Sequence, residues 1–272
     1  MSQDNFPVET RRHSAAHLMA AAIKDLWPNA KFGVGPATAT GFYYDIQLEE
    51  PLTVEDLPKI EKRMKELRKK KKKFYCEAHG IDEAIDYMAK EGQDFKVELL
   101  KLLRDKGSTA IAKETGDESV AGEGLDEITF YRTGDFVDLC RGPHVDHSGQ
   151  VGEFKLRSIA GAYWRGDANN AQLQRIHALA FETKEELEAE VTRLEEQAKR
   201  DHRKIGKELG LFTLVEEVGA GLPMWLPAGN VIRDELEKLA RITEHRAGYK
   251  RVSTPHITKG DLYHRSGHLP YY

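Results

Sequence analysis

Asp138-Leu139-Cys140-Arg141-Gly142-Pro143-His144 places a carboxylate, a thiol, a guanidinium and an imidazole within seven residues, and its Gly-Pro pair imposes a turn between the thiol and the imidazole. His13-Ser14-Ala15-Ala16-His17 supplies two further imidazoles at the i, i+4 spacing that sets both on one face of a helix. Groups able to hold a proton, a water or a metal ion thus come from two short segments, which are expected to meet across one cleft. A thiol beside an imidazole admits nucleophilic catalysis through a depressed thiol pKa. Two His, one Cys and one His also admit a tetrahedral zinc site. Lys96, between Phe95 and Val97, is able to steady a phosphate or a developing oxyanion at a cleft edge. The plainer reading is a surface lysine on a half-exposed strand.

The elements that must position these groups can be read in order. A helix from about residue 11 to 27, stopped by Pro28, carries the His pair, with Met19, Ile23 and Leu26 as its core stripe and Ala16, Ala20 and Ala21 leaving room beside the imidazoles. Residues 31–47 read as strand, glycine-rich turn and strand, and put Tyr44 among β-formers where it packs in the core or lines a pocket. Thr53 with Asp56 approximates a capping box for a helix with Leu57, Ile60, Met64 and Leu67 inward and basic residues outward. A strand from Phe74, a helix over 81–90 and a strand near residues 95–97 come next, with 99–104 apolar enough to be helical.

Residues 105–125, rich in Gly, Ser, Glu and Thr, predict a loop or weakly ordered insertion. Strands at 130–131 and 136–137 lead into the Asp138–His144 stretch, and further strands are expected over 153–159 and 172–181. Between those two, Ala160-Gly161-Ala162-Tyr163-Trp164-Arg165-Gly166-Asp167 interleaves aromatics and a cation in a way suited to base stacking and phosphate contact. The capping box at Thr183 to Glu186 starts one long charged helix up to Gly210, a natural connector. Beyond it come a strand at 212–215, a buried turn at 223–227, a helix over 230–246 and a strand over 248–255.

Composition narrows the class. The chain of 272 residues, 32% charged and 40% hydrophobic, is long enough for one large domain or two ordinary ones. No apolar run reaches membrane-spanning length and the N-terminal residues lack a signal-peptide core, so a cytoplasmic protein with no membrane partner is expected. Two cysteines, Cys76 and Cys140, exclude a disulfide framework. The net charge of -4 hides an asymmetry: residues 59–73 hold ten Lys or Arg against two Glu and end in five consecutive lysines. That patch is either a phosphate surface or a solvated helix face.

Five segments together carry a family resemblance. They are His13-x-x-x-His17, Gly41-Phe42-Tyr43-Tyr44, Asp138-x-Cys140-Arg141-Gly142-Pro143-His144, the 160–167 run, and Lys199-Arg200-Asp201-His202-Arg203-Lys204-Ile205-Gly206. In this order and spacing the chain resembles threonyl-tRNA synthetase, and the Tyr163-Trp164-Arg165 run sets it apart from alanyl relatives that share the His and Cys-His pairs.

The resemblance implies an α+β fold, mainly antiparallel sheet with helices forming a cleft, as an editing domain over 1–181. It further implies a linker helix over 182–210 and the start of a class II catalytic domain over 211–272, incomplete and exposing apolar surface from Leu211 onward. The parent family ligates threonine to tRNA(Thr) with ATP and Mg, uses a catalytic-domain zinc and forms homodimers. The segments for those later functions are not among these residues, so aminoacylation is not expected of this chain, and its own dimerisation is left open.

What remains is post-transfer editing, hydrolysis of Ser-tRNA(Thr) at the tRNA acceptor end. By the resemblance, His13 or His17 activates the water, Lys96 stabilises negative charge, Asp138 and Tyr44 hold the seryl or ribose groups, and Cys140 and His144 shape the pocket. Tyr163, Trp164 and Arg165 contact the RNA. No cofactor is expected for editing, with zinc at His13, His17, Cys140 and His144 as the alternative. The competing functions are a non-catalytic tRNA-binding module built on residues 59–73 and Trp164-Arg165, and an alanyl-type, free-standing, zinc-dependent hydrolase.

Overall fold

A computed structural model describes residues 6–106 and 128–269. Two compact units divide the chain, Met1–Arg193 and Leu194–Tyr272.

The first unit is built on α1 (Val8–Leu26). Its alanines favour helix and their small side chains let other elements close in on every side. Thr10 and every residue from His13 to Ile23 are buried, so the expected single stripe of Met19, Ile23 and Leu26 is too narrow. A helix covered all round is a core helix rather than an amphipathic one. Fully burying Leu18, Met19 and Ile23 contributes about 1.5–3 kcal/mol each. The helix stops at Trp27, because the residue before a proline is steered away from α geometry.

One face of α1 lies on a four-stranded antiparallel sheet of β1 (Lys31–Phe32), β2 (Gly41–Gln47), β6 (Glu153–Tyr163) and β7 (Gln172–Phe181), in the order β1-β2-β7-β6. Phe42, Tyr44 and Ile46 point into the core with Ile176 and Ala178. On the opposite face Asp45 takes a bidentate pair from Arg175 at 2.7 and 2.8 Å. A side chain at Gly41 would put Cβ 1.9 Å from the Ala178 carbonyl oxygen, so only glycine lets β2 begin there. Helix α2 (Leu57–Lys69) packs beside α1 through Leu57, Ile60, Met64 and Leu67, the stripe read from sequence. Its approach is fixed by the Thr53 N–H donating to Asp56 at 2.9 Å.

A second antiparallel sheet, β3 (Phe74–His79), β4 (Ile128–Thr133) and β5 (Phe136–Leu139), runs in sequence order. α3 (Ile81–Lys90) and α4 (Asp94–Lys106) cover it with a separate core of Met88, Phe95, Leu99, Phe130 and Leu139. The strand expected near 95–97 is instead the first turn of α4. Gln93 decides this: its side chain accepts from Phe32 N–H and donates to Ala30 O, both at 3.0 Å, and pins the helix start to β1. The 105–125 loop lies, from residue 107 on, outside the described residues.

α5 (Lys184–Lys199) starts at the predicted capping box, Thr183 N–H to Glu186 and Glu186 N–H to Thr183, each 3.2 Å. The single long helix to Gly210 is interrupted. Asp201 accepts from Arg203 N–H at 2.8 Å and caps a new helix, α6 (His202–Glu208), because an Asp at such a break satisfies N–H groups a continuing helix would not. In the second unit, β8 (Phe212–Leu214) pairs with β9 (Pro223–Trp225), so residues 223–225 form an exposed strand where a buried turn was expected. α7 (Pro227–Arg246) and α8 (Gly260–Arg265) complete it. No strand forms over 248–255; alternation there finds no paired strand among the described residues, and an unpaired strand has no ladder to stabilise it. Val231, Ile232, Leu236, Leu239 and Ile242 of α7 are exposed, which agrees with the apolar surface expected after Leu211.

Candidate active site

The faces of α1 not spent on the four-stranded sheet meet the end of β5 and the loop after it. There the seven residues His13, His17, Tyr44, Lys96, Asp138, Cys140 and His144 come together from five segments, grouped around two hubs.

Asp138, on β5, is the first hub. Lys96 Nζ lies 2.5 Å from Asp138 Oδ1, the Tyr44 hydroxyl donates to Oδ2, and His17 Nε2 lies 3.6 Å from Oδ2. Lys96 Nζ is also 3.4 Å from the Tyr44 hydroxyl. Lys96 is 2% exposed and Asp138 3%, which decides against the surface-lysine reading. A buried charge persists only when paired and hydrogen-bonded, and this pair has both. Tyr44 is held flat by Gly35, where a Cβ would lie 2.2 Å from its ring.

Cys140 is the second hub. Its sulfur is 3.3 Å from His13 Nε2, 3.4 Å from His144 Nε2, and accepts from Gly142 N–H at 3.2 Å. The cis Gly142-Pro143 bond and Gly142 at φ 72 carry out the turn that brings His144 back over Cys140. Ser14 orders this half. Its hydroxyl donates to Thr10 O at 2.8 Å, accepts from Val145 N–H at 3.0 Å and lies 3.0 Å from His144 Nδ1. With its only proton on Thr10, Ser14 accepts from Nδ1–H, and this leaves His144 Nε2 as an acceptor facing Cys140.

His17 touches both hubs, its ring centroid 5.1 Å from that of His13 and 4.3 Å from that of His144. Its Nδ1 is buried with no hydrogen-bond partner among the described residues. Burial pushes its pKa well below the ordinary histidine value, helped by His13 and Lys96, and burial followed by His17 and His13 does the same to His144. Both imidazoles are therefore neutral bases at neutral pH. Below about pH 6.5 the unfolded chain gains protons that the folded chain does not. Stability is thus complete above about pH 6.5 and is lost as pH falls from there toward the depressed folded values, at up to about 1.4 kcal/mol per pH unit per histidine. Denaturant melts between pH 7.5 and 5 should show that decline, and His17→Asn should make it shallower; equal slopes in the two proteins would sink it.

Sequence reading missed several supports. Phe74 stacks on His144 with centroids 5.0 Å apart and planes within 1°. Tyr131, opposite Asp138 in the β4–β5 register, has its ring 4.4 Å from His144. Its hydroxyl sits where a Gly142 side chain would be, 2.4 Å from the built Cβ. Burial, then Cys76, pushes its pKa up to about 12, so it stays a phenol. The only sequence signal for Tyr131 was its place in the strand expected at 130–131, and its position opposite Asp138 comes from the structure.

Trp164 is a correction. It is 4% exposed, packs on Phe95 at 4.8 Å and donates from Nε1 to Glu98 at 2.9 Å, so its ring offers no face to a base. Arg165 pairs with the same Glu98 at 2.9 Å. Tyr163, 47% exposed, is the member of that run open to solvent.

His13, His17, Cys140 and His144 also have one ligand atom each within 4.8 Å of the others, all four residues being buried. The arrangement as a whole suits proton transfer from a water beside a neutral imidazole, with Lys96 nearby to meet negative charge.

Residues 128–177, which span β4, β5 and the Cys140 loop, match the family described as the threonyl and alanyl tRNA synthetase second additional domain. Threonine–tRNA ligase of Acetivibrio thermocellus is 45% identical over 96% of this chain and 38% of the relative. Those of Geobacter sp. strain M21 and Dehalococcoides mccartyi are each 46% identical over 97% of the chain, covering 38% and 42% of the relatives. The chain spans about two fifths of the length of these relatives, and along that length it belongs to the threonine–tRNA ligase family.

Proposed function

We propose that the first unit is a post-transfer editing hydrolase that removes serine from mischarged tRNA(Thr). The editing domain occupies residues 1–181, residues 182–210 form the linker, and 211–272 begin a class II catalytic domain. The observation that carries the reading is the buried meeting of a neutral His17 with the Lys96–Asp138 pair. The need is physical: serine lacks one methyl of threonine, and an absent methyl permits about 1–3 kcal/mol of discrimination, so a second site must hydrolyse the error.

Water attacks the ester carbonyl as His17 takes its proton, Lys96 meets the oxyanion, and the ribose oxygen leaves with a proton. Asp138 and Tyr44 hold the seryl or ribose groups. Cys140 and His144 form the wall, beside the exposed Arg141 and Pro143 through which the RNA end enters. Water attack on an activated ester needs no covalent step through Cys140.

A second reading is favoured by the four convergent ligand atoms. Ser14 engages His144 Nδ1 and Asp138 lies beside His17 Nε2, the outer-shell pattern of a zinc site. Zinc there would polarise the carbonyl. Single-turnover assays with Ser-tRNA(Thr) and Thr-tRNA(Thr) should give hydrolysis of the seryl ester at least about tenfold faster; equal rates overturn the editing reading. Elemental analysis of the same sample separates the two versions. One retained zinc per chain, with activity lost on chelation, selects the second.

A further inference from the structure

The basic stretch 59–73 divides into two parts that behave differently. On α2 three of the cations are met by carboxylates: Arg63 by Asp25 and Glu66, Lys65 by Glu61, and Arg68 by Glu153, while Lys59 lies over the Trp27 ring and Lys62 forms no ion pair with any described residue. Lys69 to Lys73, all exposed, form no ion pair with any described residue. Lys69 closes α2, and Lys70 to Lys73 leave the helix. They turn, with Lys71 at φ 49, a left-handed conformation unfavourable for a lysine.

The turn is pinned on both sides. Ser148 N–H donates to Lys72 O at 2.8 Å, Lys72 N–H to Ser148 Oγ at 3.0 Å, and Phe74 N–H to Asp146 O at 3.1 Å. Five adjacent ammonium groups on a rigid turn repel one another, and an array of anions relieves that repulsion. Lys70 and Lys72 border a recess of about 100 Å³ that also reaches Arg63 and the buried Thr133 hydroxyl, which has no hydrogen-bond partner among the described residues. Asp25 and Asp135 also line it, and Asp25 is engaged by Arg63. The ridge ends at Phe74, the ring stacked on His144.

We propose that Lys69–Lys73 is a phosphate-binding ridge that holds the single-stranded RNA backbone just before the terminal nucleoside and feeds that nucleoside past Phe74 into the His144 side of the pocket. This rests on the editing reading for the chemistry beyond Phe74, but not for the binding of RNA itself. The densest unpaired charge therefore sits at the turn after α2 rather than along the helix itself.

The test uses the full chain and a Lys70→Gln/Lys72→Gln variant, with Lys65→Gln as control. RNA affinity is measured by anisotropy across a salt series, and hydrolysis with seryl-tRNA and with seryl-adenosine. The double variant should lower the slope of log K against log salt by about 1.4, from about 0.7 per lost single-strand phosphate contact. It should lose roughly tenfold or more in kcat/KM on seryl-tRNA while keeping its rate on seryl-adenosine. Lys65→Gln should match the parent chain. An unchanged salt slope, an equal loss on seryl-adenosine, or lysine-dependent binding to anionic vesicles as tight as to RNA would each overturn the ridge. Lysine-dependent RNA binding by a chain that cleaves neither ester would leave the ridge standing and remove the hydrolase.

Discussion

Lys96→Ala is expected to lower hydrolysis of Ser-tRNA(Thr) by about 10² to 10³-fold and unfolding stability by about 3–5 kcal/mol. The two losses have different origins. In the proposed mechanism, catalysis loses the cation that meets the oxyanion. Stability falls because Asp138, 3% exposed, keeps only the Tyr44 hydroxyl and a neutral His17 around its charge. A second variant separates them. Lys96→Met with Asp138→Asn removes both charges, fills the lysine's space and still offers Tyr44 an acceptor, so it should recover most of the stability and none of the rate. Single-turnover hydrolysis and urea melts on both proteins decide the matter. An unchanged rate in Lys96→Ala removes Lys96 from the chemistry, and a stability loss under about 1 kcal/mol means that the pair is not buried as described.

The second large effect belongs to His17. A near-isosteric His17→Asn should cost about 10² to 10⁴-fold in hydrolysis, the range for loss of a positioned general base, with tRNA affinity unchanged. The depressed pKa adds a signature that a merely structural role would not produce. The parent chain's kcat/KM should be flat from pH 8 to about 6.5 and fall only at lower pH, because His17 is already neutral throughout that range. In the variant the low-level residual rate should lack that acid limb. A parent profile that bends at an ordinary histidine value would instead remove His17 as the base.

Much of the site was legible because its spacing is local. The i, i+4 His pair needs only a helix, and the alanines around it make one. The Gly142-Pro143 turn returns His144 to Cys140 whatever surrounds it. Tyr44 was readable as a strand residue with a site role open to it.

Lys96 was not legible as a helical residue, because Phe95-Lys96-Val97 alternates with the period of a strand over too short a run to separate the two. Trp164 was misread for the opposite reason. Its neighbours have the composition of an RNA-stacking loop, and composition does not say which rings a second hydrophobic core will absorb. The lysine run was equally ambiguous until the ion pairs along α2 could be told from the lack of any ion pair between Lys70–Lys73 and the described residues.

The sequence by itself determined most of the strands and helices of the first unit, the helix carrying the imidazoles, the capping boxes and the spacing of the motifs that carry the family resemblance, which in turn implied the antiparallel α+β organisation. These rest on periodicity, turn chemistry and spacing, which act over a few residues. Tertiary structure alone decided that Lys96 reaches Asp138, that Ser14 sets the His144 tautomer, and that burial keeps His17 neutral. Each of those depends on atoms 42, 130 or 121 positions apart in the chain, and such atoms meet only when two cores have packed against the same helix and strand.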